Sequence, residues 1–382
     1  MKKICAALLV LCMCMTLPGT AMAAEVPLQA PCAILMDGAS GTVIYEKDAD
    51  RKMPPASVTK IMTLLLVMEA IERGELAWEE IVVGSAHAAS MGGSQIWLKE
   101  GEQFTVEEMV KCVAVASAND CSVALAEHLA GSEEAFVARM NERAQELGMI
   151  DTHFVNCCGL EAEGHLTTAR DIAKMSAALL AHEKITEYTT VWTDTIRNGA
   201  FGLTNTNKMI RSYNGMIGLK TGYTSDAGYC LSGVAVRDGM TLIAVVLGGQ
   251  TSQSRNADVA ALLNHGFANY TSVILSPDVP LLPVPVVMGK KESVAVTLAA
   301  EEPVLLEKGR MAGLVKQVEM MEAMEAPVQI GDPVGSFTVQ DAEGKTVYSC
   351  DLVAAEAVER LGLWDLWSRL MARVAFRTAS AE

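Results

Sequence analysis

Apolar positions in this chain fall into runs whose spacing predicts most of its elements. The longest, Ile61-Met62-Thr63-Leu64-Leu65-Leu66-Val67-Met68-Glu69-Ala70-Ile71, is apolar on every side. It reads as a helix buried in a core and is too short to span a bilayer. Met53-Pro54-Pro55-Ala56 breaks structure just before it. A second apolar stretch, Met109 to Ala116, predicts a helix ending at Ser117-Ala118-Asn119-Asp120, with another helical pattern from Ser122. Further on, Gly218 to Tyr223, Tyr229 to Val236 and Met240 to Leu247 read as strands, the last two joined by a turn at Asp238-Gly239.

After residue 276 the pattern changes. Ser276-Pro277-Asp278-Val279-Pro280-Leu281-Leu282-Pro283-Val284-Pro285 reads as a boundary. Short strand-like runs follow at Val294–Leu298, Val304–Leu306, Val315–Glu319, Val334–Val339 and Thr346–Cys350, punctuated by Gly331-Asp332 and Glu343-Gly344. They predict a small β domain with no catalytic constellation. The last segment is amphipathic. Leu363, Trp364, Trp367, Leu370, Met371 and Val374 share one helical face, with Asp365, Arg369 and Arg373 opposite and Arg377 beyond. A basic helix carrying two tryptophans fits a membrane interface, or else a face packed on its own protein.

Three short motifs carry the candidate chemistry. Ser57 stands at the N-terminus of the buried helix, where free N–H groups and the dipole favour a developing oxyanion. Lys60 lies one turn on. A lysine in an apolar site gives up its charge readily, and a neutral lysine beside a serine can make it a nucleophile. The bland alternative is an N-cap serine with an exposed lysine. Ser117 and Asn119, between two helices, are either plain caps or a hydroxyl relay with an amide that positions Lys60. Lys220 and Thr221 offer a charge and a donor to a substrate carboxylate, and Gly222 lets substrate backbone approach the strand. The alternative there is an edge-strand lysine before a turn.

In these motifs and their order the chain resembles the low-molecular-mass penicillin-binding proteins, serine-type D-alanyl-D-alanine carboxypeptidases of the peptidase S11 family. The likeness extends to Ala33–Asp37 with Gly41–Tyr45, which match the family's opening hairpin. It takes in Gly159-Leu160, Gly164-His165-Leu166-Thr167-Thr168-Ala169-Arg170-Asp171, and Ser254-Arg255-Asn256. Ala118 stands where glycine is common in the family, and Tyr223 where histidine is frequent. The resemblance implies an α/β (α+β) penicillin-binding and β-lactamase-like transpeptidase fold: an antiparallel sheet with helices, then a small β-sandwich-like domain and an amphipathic helix. It implies that Ser57 attacks the carbonyl between two terminal D-alanines, with Lys60 as base, Ser117 relaying a proton, and Asn119 holding Lys60 and substrate. Lys220 adds positive charge. Substrate would also meet Thr221, Gly222, Tyr223, whose N–H would join that of Ser57 in the oxyanion hole, and Arg255, which would attract the terminal carboxylate.

The expected organisation is a signal peptide over 1–23, a catalytic domain over 24–276, the β domain over 277–353 and the membrane-associating helix and tail over 354–382. Lys2 and Lys3, an apolar run from Ala6 to Leu17 and Ala21-Met22-Ala23 support the signal. Export would place the protein at the outer face of the cytoplasmic membrane or in the cell wall, attached peripherally through its C-terminal helix. The expected partners are stem peptides ending in D-Ala-D-Ala, β-lactam antibiotics and the membrane surface. Loss of residues 1–23 removes two lysines and no acids, moving the net charge from −16 to −18, which argues against nucleic acid.

Seven cysteines remain beyond residue 23, an odd number, and two are adjacent, so a full disulfide framework is impossible. Cys112 and Cys121 flank the Ser117 turn and can pair. No Cys-x-x-Cys spacing suggests a metal, and neither metal nor cofactor is expected. Of the six histidines, His165 sits in a structural segment, where Thr168 and Asp171 predict a capping box. Rival readings are a class A-like β-lactamase, which wants a glutamate base in a Glu-x-x-x-Asn-like loop where only Glu161 and Glu163 stand, and a D,D-endopeptidase. The non-enzymatic rival is a muropeptide-binding or penicillin-sensing surface protein.

Overall fold

The computed structural model describes residues 26–368 and residue 371. The expected signal peptide, and Arg369, Leu370, Arg373, Val374 and Arg377 of the terminal helix, lie outside the described residues. The chain opens with strands β1 (Cys32–Asp37) and β2 (Val43–Lys47), paired antiparallel. Helices α1 (Lys60–Glu72), α2 (Val106–Ala116), α3 (Asn119–Ala130), α4 (Glu133–Glu146) and α5 (Ala169–Leu180) follow. Then come β3 (Met216–Thr224), β4 (Gly228–Arg237), β5 (Met240–Gly249) and α6 (Ser252–Asn269).

The five strands form one antiparallel sheet in the order β2-β1-β5-β4-β3. Both faces are covered, and alternate residues divide between two cores. On β1, Cys32, Ile34 and Met36 join the cluster built with α1 to α5, whereas Ala33 and Leu35 join Val259, Leu262 and Leu263 of α6. Residues of β5 divide the same way, Ile243, Val245 and Leu247 against Leu242, Ala244 and Val246. Helix α1 runs through the larger core with every residue from Lys60 to Met68 buried, which is why its sequence shows no polar stripe. Truncating Leu65 there, wholly buried, would cost about 2–5 kcal/mol.

The C-terminal region is all β. Val296–Leu298, Thr346–Ala354, Pro333–Gln340 and Val315–Met320 make a four-stranded antiparallel sheet in that order. A smaller sheet places Val284–Val287 between Ser293–Val294 and Met324–Glu325. Two local patterns differ from expectation. The run Val294–Leu298 divides at Ala295, whose carbonyl accepts from Ala355 N–H instead of a ladder partner. Pro303–Glu307 pairs with Tyr270–Ile274, the strand directly after α6, instead of joining the four-stranded sheet. At the far end, Ala354 closes a strand and Val358 is buried in the β core, so helix begins only at Leu363 instead of near 354.

Candidate active site

Ser57 lies on a short 3-10 turn, Ala56–Thr59, that leads directly into α1. Ala56 holds φ 49°, a left-handed conformation unfavourable for a residue with a Cβ. The serine caps no backbone N–H, so the plain N-cap reading fails. Its Oγ instead meets Lys60 Nζ at 3.0 Å.

Lys60 is wholly buried. Its Nζ has two further neighbours, Asn119 Oδ1 at 2.6 Å and the Cys158 carbonyl at 2.7 Å. Burial pulls its pKa below the ordinary lysine value, and the nearby Cys158, Cys157 and Asp120 groups oppose that pull. Both firm neighbours are pure acceptors. A neutral amine can give them its two hydrogens and keep its lone pair for the serine hydroxyl.

The turn between α2 and α3 supplies the next group. Ser117 ends α2 in the left-handed conformation, φ 62° and ψ 32°, and is buried. Two residues on, Asn119 begins α3 with its orientation fixed from three sides. Oδ1 accepts from Lys60, Nδ2 donates to the Gly92 carbonyl at 2.7 Å, and N–H donates to the Ser94 carbonyl at 2.7 Å. The adjacent Asp120 carboxylate accepts from the N–H groups of Ile96 and Leu98, tying down the same loop.

Strand β3 forms the opposite wall. A Cβ on Gly222 would stand 2.9 Å from the Pro55 carbonyl and 3.1 Å from Ser57 N, so the strand rests on the serine's own backbone. Lys220 is buried at 1% exposure and its Nζ donates to the Thr221 carbonyl. Desolvation, then the nearby Lys60 and Arg255 charges, hold its pKa well below the ordinary value. Thr221 Oγ1 donates to Thr206 Oγ1 at 2.7 Å. Tyr223 is 57% exposed and lies over Tyr229, ring centroids 4.3 Å apart. Arg255, near the start of α6, is buried, held by Asn256 Oδ1 at 2.8 Å, with burial pushing its pKa down to about 10. Among the described residues no carboxylate pairs with Lys220 or Arg255.

The structure thus joins Ser57 and Asn119 through Lys60 Nζ. It sets Ser117 beside Asn119 in sequence, puts Lys220, Thr221 and Gly222 on the facing strand β3, and leaves Arg255 on α6, donating to the Cys230 carbonyl of β4. Sequence reasoning missed the loop that completes the lysine's contacts. Asn156 Oδ1 accepts from the N–H groups of Cys158, Gly159 and Leu160, and this turn aims the Cys158 carbonyl at Lys60. Gly159 has φ 82°, and a Cβ there would stand 1.8 Å from the Ala56 carbonyl. An Asn three residues before a Gly was the available signal.

His165 is a satisfied core residue. Nδ1 accepts from Val155 N–H, so Nε2 carries the hydrogen toward Thr59 Oγ1 at 2.9 Å. Burial drives its pKa down to about 4. Only half of the expected capping box forms. Thr168 accepts from Asp171 N–H, but the Asp171 carboxylate turns to Asp151 N–H and Thr152 instead. The seven described cysteines are free thiols, Cys112 and Cys121 included. Glu161 accepts from Asp226 N–H in a cleft of about 320 Å³ beside Ala56.

Residues 19–251 match the family described as D-alanyl-D-alanine carboxypeptidase, peptidase S11, and residues 271–360 match the penicillin-binding protein 5 C-terminal domain. The chain is 39% identical to the D-alanyl-D-alanine carboxypeptidase DacF of Bacillus subtilis, covering 97% of this chain and 98% of that one. It is 34% identical to DacC of Escherichia coli, covering 91% and 90%. The crystal structure of penicillin-binding protein 5 from Haemophilus influenzae superposes with a TM-score of 0.75 at 28% identity, over 87% of this chain and 98% of that one. Penicillin-binding protein D2 from Listeria monocytogenes, in its ampicillin-bound form, matches at 34% identity and TM-score 0.58, over 64% and 99%.

Proposed function

The chain belongs to the peptidase S11 family of D-alanyl-D-alanine carboxypeptidases, and we propose that Ser57 carries the acyl group in that reaction. It removes the terminal D-alanine from peptidoglycan stem peptides and is acylated by β-lactams. The observation that carries the assignment is the set of contacts on Lys60 Nζ: two carbonyl acceptors and the Ser57 hydroxyl.

Lys60 takes the Ser57 proton as Oγ bonds to the carbonyl carbon of the penultimate D-alanine. The negative charge that develops on the carbonyl oxygen faces the backbone N–H groups of Ser57 and Tyr223. Ser117 passes the proton from Lys60 to the leaving nitrogen, and the C–N bond breaks. Lys60 then takes a proton from the water that attacks the ester carbonyl and returns it to Ser57 Oγ as the C–O bond breaks, which frees the serine and restores the neutral amine. Asn119 keeps Lys60 aligned throughout, and Thr221, Lys220 and Arg255 receive the substrate carboxylate.

The location follows from the substrate and the N-terminal sequence: residues 1–23 direct export, and the enzyme works at the cell wall. The terminal helix attaches it to the outer face of the cytoplasmic membrane. Support comes from Trp364 and Trp367, 81% and 57% exposed on the described helical turn, with Leu363 also exposed. No described helix is long and apolar enough to cross a membrane.

The test of the nucleophile is a fluorescent penicillin. Wild type is expected to retain a covalent label that maps to Ser57, and Ser57→Ala is expected to lose both label and D-alanine release. A covalent label on Ser57→Ala would move the nucleophile elsewhere.

A further inference from the structure

Cys157 and Cys158 are adjacent in sequence, yet their sulfurs are not left pointing apart. The two Sγ atoms are 3.6 Å from one another, both fully buried. Glu133, in the first turn of α4, brings a carboxylate oxygen to the pair, and the three atoms all lie within 4.8 Å of one another. No sequence spacing foreshadows this, because Glu133 comes from another element. We propose that Glu133, Cys157 and Cys158 form a site for one soft divalent cation of the zinc and cadmium class.

The geometry suits a metal better than a sulfur–sulfur bond. Two sulfurs about 2.3 Å from a tetrahedral zinc stand about 3.8 Å apart, close to the separation found here. A disulfide would need them at about 2.05 Å. Two thiolates and a carboxylate are the donor set that zinc-like cations accept, and uptake releases the two thiol protons to solvent. The carboxylate is already oriented. Oε1 accepts from Cys157 N–H at 3.0 Å, and Oε2 meets His87 Nε2 at 2.8 Å. Hydrogen bonds of this kind, from groups behind a ligand, fix its direction. His87 is 52% exposed, so the site reaches solvent on that side.

Occupancy bears on the reaction. Cys158 Sγ donates to the Asn119 carbonyl at 3.4 Å, and the Cys158 carbonyl accepts from Lys60. A cation drawing on Cys158 Sγ removes that S–H donor and pulls on a main-chain segment that holds the lysine. Slower acylation of Ser57 on filling the site follows, and this consequence rests on Lys60 being the base; uptake of metal does not.

The experiment titrates the full chain, reduced with a phosphine, with cadmium(II). Metal uptake and the thiolate-to-cadmium ultraviolet band are followed together with the rate of penicillin labelling. Wild type and Cys112→Ala/Cys121→Ala, which removes the other neighbouring pair of buried thiols, are expected to take up one tight equivalent. Cys157→Ala/Cys158→Ala is expected to lose it. His87→Ala, at the surface and safe for folding should the double variant fail, is expected to bind about tenfold more weakly or worse. Undiminished uptake by the Cys157→Ala/Cys158→Ala protein, unchanged cadmium affinity in His87→Ala, or no uptake by wild type overturns the site. Uptake with unchanged labelling rate overturns the link to Lys60 while leaving the site.

Discussion

Gly222 and Ser57 are in backbone contact: the hydrogen of Gly222 occupies a space where a methyl carbon would stand 3.1 Å from Ser57 N. The same carbon would meet the Pro55 carbonyl at 2.9 Å and Ala56 Cβ at 3.0 Å. The strand and the serine turn therefore form one wall with no slack. Gly222→Ala is expected to lower penicillin acylation by about 10²-fold, the scale on which a shift near 1 Å costs a well-aligned reaction. The measurement is the second-order labelling rate, with the melting temperature as control. Wild-type acylation would mean that the spacing is not needed.

Lys60 is expected to tolerate no other base. Lys60→Arg keeps a cation but cannot release its proton, so acylation should fall by about 10²–10⁴-fold. Stopped-flow labelling reads the loss.

The acylation rate of wild type is expected to rise with pH as Lys60 deprotonates. Because burial lowers its pKa, the midpoint of that limb lies below the ordinary 10.5. A pH profile of kcat/KM for penicillin locates it. A limb at or above 10.5 would mean that another group accepts the proton.

His165 makes stability depend on pH. Its pKa is pushed from 6.5 to about 4 by burial, so between those values the native chain binds fewer protons than the unfolded one. Stability therefore rises with pH across that window. The contribution is complete above pH 6.5 and lost as pH falls to 4, about 3 kcal/mol in all. His165→Gln is expected to be flatter than wild type by about that amount in urea unfolding between pH 7 and 4. Parallel curves would remove the histidine as the source.

The terminal helix has a clean cut site. Val358 is core and Arg360 bridges to Gly289, so truncation belongs after Leu361. Deleting residues 362–382 is expected to release the protein from anionic vesicles in a sedimentation assay. Hydrolysis of a small D-Ala-D-Ala peptide should stay within about twofold, because the sheet and Ser57 lie in the other core. Equal pelleting of both proteins would exclude the helix as the attachment.

Where the sequence was legible, one physical rule acted alone. Helix α1 is apolar all round because it is buried all round, and the strands of the central sheet follow runs bounded by glycine turns. The motif spacing brought out Ser57 with Lys60, since three residues on a helix are one turn. The Cys158 carbonyl was invisible because its contribution is a main-chain atom, indifferent to the side chain that it carries, and because Asn156 aims it from within a loop. Pro303–Glu307 has an ordinary strand pattern, but which neighbour it pairs with is settled by the path of the chain after α6.

Lys220 and Arg255 are buried basic side chains that no described carboxylate answers. On the proposed mechanism, the opposite charge would arrive with the substrate carboxylate at each turnover. A free chain end would bring that charge; an amide in mid-chain would bring none and leave the two basic side chains facing one another in a dry wall. A small anion such as chloride or acetate is therefore expected to compete for that place, which would be read as slower D-alanine release as its concentration rises.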